Sequence, residues 1–158
     1  MEMSERDRAI LVTFLFGGLR CNELRMLDVE DVDFDEGSIF IRYAKRDKER
    51  IVPLHDLARQ ALTDYLGDRA SGPLFLSNRR TRISNRRLRT LVKELGTRAR
   101  LKKDLHPHTL RHTYATLLRE AGVELGDVGN LLGHASLDTT RIYDHMSMTR
   151  KKLAVDKL

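Results

Sequence analysis

One stretch of this chain reads as strand while nearly everything around it reads as helix. "SIFIRYAKRDKERIVPL", residues 38–54, holds two β-branched runs, Ile39 to Tyr43 and Arg50 to Leu54, joined by a charged turn. Runs of that composition on either side of a short polar turn predict a hairpin. "DVDF" just before Gly37 adds a candidate third strand. Apolar residues elsewhere recur three and four apart, the period of a helix buried on one face. The expected fold class is therefore α+β, predominantly α-helical, with one small antiparallel sheet of about three strands.

The helices announce themselves by their ends. Ser4 and Asp7 have capping-box spacing, Ile10, Leu11, Phe14 and Leu15 share a face, and Gly17 and Gly18 close the segment. A short helix over 22–27 follows. Past the hairpin, Leu57, Ala61, Leu62 and Tyr65 mark a helix that begins at Asp56 and ends at Gly67. Ser84 caps another, carried by Leu88, Leu91, Val92 and Leu95. Pro107 suits a first turn and opens a helix that runs to about Ala121 and stops at Gly122. Two more are expected over 125–132 and 137–145, the second capped by Ser136, before a basic, partly apolar tail.

At 158 residues the chain has the length of one domain with a single core. No apolar run reaches the ~20 residues of a membrane span. The lone Cys21 allows no internal disulfide, so a reducing compartment is the default. A net charge of +6 favours a polyanionic partner, and "NRRTRISNRRLR", residues 78–89, concentrates that charge. Arg79, Arg80, Arg82, Arg86 and Arg87 in this stretch are candidates for contacts with a phosphate backbone; a solvated face is the plain alternative.

The densest chemistry lies in "HPHTLRHTYAT", residues 106–116. In a helix opened by Pro107, His108, Arg111 and His112 share one side. A metal site there lacks a third or fourth ligand beyond Asp104, and Arg111 would repel the ion. An anion uses the group better: the helix start offers N–H donors and partial positive charge, His108 another donor, and Arg111 a bidentate fork. A self-capped helix start with Arg111 paired to a carboxylate remains an alternative on this segment alone. His112 is expected to pack rather than bind. His55, His106 and His145, with Tyr43, Tyr65 and Tyr114, are assigned to structure or surface.

Three other stretches add to this cluster. "GGLRCNELR" sets Arg20 after a helix-ending glycine pair, "AKRDKER" sets Lys45 at the hairpin tip, and "LLGHASLDTTRIYDHM" supplies His134 and Tyr143. Each has an ordinary reading of its own as a cap, a solvated turn lysine, a loop histidine or a half-buried tyrosine. In order, they make up Arg…Lys…His-x-x-Arg…His…Tyr. This pattern resembles the catalytic domain of the tyrosine recombinases, the phage-integrase and Xer-type site-specific recombinases. The resemblance covers essentially all of the chain, residues 1–158.

That resemblance implies a recombinase or integrase that breaks and rejoins DNA strands through a 3′-phosphotyrosine. Arg20 and Arg111 would clamp the phosphate oxygens, and His134 would donate a further bond. Tyr143 would be the nucleophile, with His108 as its base and Lys45 as the acid on the leaving 5′-oxygen. Glu23 would orient an arginine or histidine from behind. No cofactor or metal is expected, and the sequence has neither a GxxxxGK loop nor a carboxylate cluster for paired metals. Double-stranded DNA in the cytoplasm, at the nucleoid, is the expected partner, with a homotetramer forming on it. The segment 147–158 is expected either to pack on a neighbouring protomer through Leu153, Val155 and Leu158, or to fray where no DNA is bound. Relatives carry an N-terminal clamp domain that this chain is expected to lack. Two departures stand out: Arg46 and Asp47 replace the usual glycine and asparagine, and Cys21 adjoins Arg20. A type IB topoisomerase-like relaxase, a non-catalytic DNA-binding module on the same fold and a metal-dependent nuclease are the rival readings.

Overall fold

The computed structural model describes residues 2–42, 49–133 and 148–158. Seven helices and three strands lie within them: α1 (Glu5–Gly17), α2 (Cys21–Met26), β1 (Val32–Asp33), β2 (Ser38–Ile41), β3 (Arg50–Pro53), α3 (Asp56–Leu66), α4 (Asn85–Arg98), α5 (Pro107–Glu120), α6 (Leu125–Leu132) and α7 (Met148–Asp156). A single 3-10 turn, Val29–Asp31, joins α2 to the sheet. The helix expected over 137–145 lies outside the described residues. Among the described residues no helix is long and apolar enough to cross a membrane.

The sheet has the order β1-β2-β3, antiparallel throughout, with Val32 opposite Ile39 and Ile39 opposite Val52. Its alternation buries Ile39, Ile41 and Val52 on one face and leaves Ile51 on the other. Pro53 has no N–H for a further rung, so the strand ends there and Leu54 donates to the Gly37 carbonyl at 2.9 Å.

Helix α1 starts where the Ser4 hydroxyl accepts the Asp7 amide at 3.1 Å and stops at Gly18, which is left-handed at φ 64°. A side chain at Gly18 would also strike Tyr114, 2.3 Å from the position of its Cβ. This close approach brings α5 against the end of α1. In α3 the buried set is Ala58, Ala61, Leu62 and Leu66, whereas Leu57 is 51% exposed, contrary to the expected face. The core takes the face of Ala58, Leu62 and Leu66, and Leu57, about 100° around the helix from Ala58, falls off its edge in the first turn, where its amide donates to His55 Nδ1 at 3.1 Å. Helix α4 behaves as its spacing predicts, with Ser84 accepting the Arg87 amide at 3.0 Å.

Two apolar clusters result. The larger joins α1–α4 to the sheet, and the smaller joins Tyr114, Leu118, Val128, Leu131 and Leu132 to Ala154 and Val155 of α7. The tail thus sits on its own chain here: Val155 is buried, Leu158 packs against the same cluster, and Leu153 is 61% exposed. Lys151 Nζ donates to the Ile51 carbonyl at 2.6 Å, and Lys152 to the Glu36 carbonyl, stapling α7 to the sheet.

A buried ion pair ties these parts together. Glu23 of α2 accepts from Arg50 Nη1 and Nη2 of β3 at 2.8 and 2.9 Å, and Arg50 Nε donates to the Leu131 carbonyl of α6 at 3.2 Å. Burial pushes the Glu23 carboxyl up, but the hydrogen bonds and charges of Arg50, with help from Arg20, outweigh it and hold the pKa below the ordinary 4.5. The folded state therefore favours ionised Glu23. Its stabilisation is present above the ordinary carboxylate pKa and is lost as pH falls through the lower, folded value. Glu23→Gln should cost about 3–5 kcal/mol in urea unfolding at neutral pH, because it leaves Arg50 buried without its counter-charge. The gap from wild type should narrow as the pH is taken below 4.5. Stability curves that stay parallel over that window would contradict this origin.

Candidate active site

Three of the six expected catalytic residues lie in the described segments, and all three line one open cleft of roughly 470 Å³. Arg20 is the residue that caps the start of α2, His108 lies in the first turn of α5, and Arg111 lies one turn further on. Pro107 sets that helix start, as its fixed φ predicts. Lys45, His134 and Tyr143 lie outside the described residues, as do Tyr43 and His145.

Arg111 is almost fully buried, and its head is braced from two sides. Nη1 donates to the Gly18 carbonyl at 2.5 Å and Nη2 to the Leu132 carbonyl at 2.8 Å. A guanidinium has five N–H donors, so these two bonds fix its plane and leave donors for a ligand. Among the described residues no carboxylate pairs with it directly. Burial, and then the charge of Arg20, pull its pKa down to about 10, offset in part by Glu23. It remains a cation at neutral pH.

Arg20 is held differently. One Nη reaches Glu23 Oε1 at 3.1 Å, and its backbone N–H donates to Glu23 Oε2 at 2.9 Å. Its side chain keeps 33% of its surface exposed on the cleft side. Glu23 itself is buried, and it positions two arginines, Arg20 and Arg50, from behind the cleft. His108 is exposed at the cleft mouth.

Sequence reasoning passed over several residues here. Arg89, His106 and Cys21 also line the cleft, Arg89 one turn along α4 from the cap and His106 at the head of α5. Arg89 belongs to the same basic run as the five named arginines and was within reach of helical spacing from Asn85. Burial raises the Cys21 thiol above its ordinary pKa, against the opposing charges of Arg89 and Arg25. His112 is exposed rather than packed. Tyr114 is a core residue and Tyr65 accepts the Leu76 amide at 3.1 Å, both structural as expected.

The basic run divides. Arg79, Arg80 and Arg86 are exposed. Arg82 instead braces the end of α2, donating to the carbonyls of Arg25 and Leu27 at 2.9 and 3.0 Å and to Asp28 at 2.5 Å. Arg87 bonds Glu94 through one Nη at 3.2 Å. Among the described residues no three His, Cys, Asp or Glu side chains gather where they could hold a metal ion.

Set against known proteins, this arrangement has many counterparts. The chain is 41% identical over 164 residues to the tyrosine recombinase XerC of Thermodesulfovibrio yellowstonii, covering 97% of this chain and 54% of that protein. It thus spans about half the length of the curated relatives it matches. The crystal structure of XerA recombinase superposes with a TM-score of 0.78 at 33% identity, covering 98% of this chain and 58% of that one. XerH site-specific recombinase, bound to its difH substrate in a pre-cleavage complex, gives 0.74 at 31% identity, with 98% and 48% covered. The model of the phage integrase family matches residues 1–150, most of the length, and this chain belongs to that family.

Proposed function

We propose that this chain is the catalytic domain of a site-specific DNA recombinase or integrase that works through a covalent 3′-phosphotyrosine. The observation that carries the reading is the cleft itself, where buried Arg111, half-exposed Arg20 and His108 face one space suited to a phosphate. Attack on a phosphodiester puts developing negative charge on the equatorial oxygens, and two fixed guanidiniums strengthen their bonds as that charge grows. Arg111 is suited to this because its two backbone bonds orient it before the ligand arrives.

In this reading the Tyr143 oxygen attacks phosphorus while its proton passes to His108. The P–O5′ bond breaks, and Lys45 protonates the leaving oxygen. His134 supplies a further bond to a non-bridging oxygen. The ester energy stays in the phosphotyrosine, so a 5′-hydroxyl of a second strand reverses the step without ATP. Such acid and base transfers contribute about 10²–10⁴-fold each. Duplex DNA at the nucleoid is the substrate, and a homotetramer assembles on it. Exposed Arg79, Arg80 and Arg86, with Arg89 at the cleft wall, are the arginines that would contact backbone phosphates.

The decisive experiment incubates the full-length protein with a nicked suicide duplex whose sequence has been selected by covalent capture from a random library. Wild type should yield a protein–DNA band on a denaturing gel, and Tyr143→Phe should yield none. Arg111→Lys should slow adduct formation by about 10²–10³-fold. Binding without any adduct would instead identify a non-catalytic DNA-binding module, and relaxation of supercoiled plasmid whatever its sequence would identify a relaxase.

The arginines of 78–89 should separate in a second assay. Arg86→Ala and Arg89→Ala should weaken duplex binding uniformly across sequences and lower the salt slope by about one each. Arg82→Ala should act mainly on the unfolding midpoint, since it removes the brace on α2. A slope change at Arg82 equal to that at Arg86 would reverse this division.

A further inference from the structure

We propose that Arg50 is a positioning residue that keeps Arg20 available to a phosphate by occupying Glu23. This rests on reading the cleft as a phosphate site. Glu23 is one carboxylate between two guanidiniums. Arg50 takes both of its oxygens, at 2.8 and 2.9 Å, in the parallel fork that such pairs favour. Arg20 is left a single side-chain bond to Oε1, at 3.1 Å. Its other donors are therefore available at the cleft. Without Arg50, the vacated carboxylate would draw the partly exposed Arg20 into a one-to-one pair and neutralise it.

Arg50 also fixes what lies beyond Glu23. Its Nε bonds the Leu131 carbonyl, and Arg111 bonds the next one, Leu132. Two buried arginines thus satisfy successive carbonyls at the C-terminus of α6, where the helix leaves acceptors unpaired and a partial negative charge. Gly133 ends that helix at φ 70°, and a Cβ there would come within 2.8 Å of Arg50 Cδ. Glycine is what lets the chain turn over this guanidinium, one residue before His134.

Paired substitutions that conserve net charge separate positioning from bulk structure. Arg50→Met removes one positive charge and releases Glu23 to Arg20. The double variant Glu23→Gln with Arg50→Met restores the net charge and removes the competitor for Arg20. Inorganic phosphate titrated into the full chain, isotope-labelled at arginine, reads the outcome through the Nε–H resonances, with thermal melting to check folding. In wild type the Arg20 resonance should move with phosphate, while that of Arg50 should stay fixed and exchange slowly. Arg50→Met should bind phosphate about tenfold more weakly, equivalent to the loss of roughly one charge-assisted contact. The double variant should return to within about threefold of wild type.

A double variant as weak as Arg50→Met, or Arg50→Met binding as wild type does, overturns the assignment. Should Arg50→Met not fold, the wild-type resonances and the double variant still decide it, because removing both members of a buried pair is far milder than removing one. No phosphate response at Arg20 in wild type would overturn the cleft reading and this assignment with it.

Discussion

The ion pair between Glu23 and Arg50 is the point from which the cleft is built. It joins α2, which Arg20 caps, to β3, the strand that follows Lys45 in the chain, and through the Leu131 carbonyl to the end of α6. Buried pairs of this kind add little net stability, because desolvation offsets their attraction. Their effect is geometric: a charge left without its partner in the interior is so costly that alternative packings are excluded. Arg111 repeats the device with neutral partners, linking the end of α1 to the end of α6 through the Gly18 and Leu132 carbonyls. Segments far apart in the chain are thereby held around one space.

The electrostatic consequence follows from counting charges. The charges of Arg20 and Arg50 both reach Arg111, and the Glu23 carboxylate lies among the three. Among the described residues the cluster keeps an excess of positive charge beside the open cleft. Burial, and after it the charges of Arg20 and Arg50, act on Arg111, which is why its pKa falls to about 10. An anion relieves that strain, and a transition state with more negative charge relieves it further. The same repulsion makes the backbone braces necessary, since a long flexible arginine would otherwise swing towards water.

Much of this was legible in the sequence, for reasons particular residues make clear. Ser4, Gly18, Ser84 and Pro107 mark helix ends through backbone chemistry that depends little on distant contacts, and each stands where it was expected. Arg20, His108 and Arg111, named together from their order along the chain, line one cleft, with Glu23 bonded to Arg20 behind it. What failed was local orientation decided by tertiary contacts. Leu57 faces outward because the core takes the face of Ala58, Leu62 and Leu66, and Arg82 turned inward to donate to the carbonyls at the end of α2. Arg50 did leave a signal: it has the same parity as inward-facing Val52, opposite buried Ile41, and a charge with inward parity demands a buried partner.

Strand β3 also shows how few residues separate the cleft from the C-terminal helix. Arg50 uses its side chain to hold Glu23 and Leu131, and the next residue, Ile51, gives its carbonyl to Lys151 of α7. Helix α7 in turn shares one buried apolar cluster, through Ala154 and Val155, with Leu131 and Leu132, whose carbonyls the two buried arginines bond. The seat of the tail and the back wall of the cleft are therefore two sides of one packed layer. Close packing transmits displacement because interior side chains have no slack to absorb it. A change in what covers that cluster must be accommodated by the α6 terminus, and hence by the arginines that cap it.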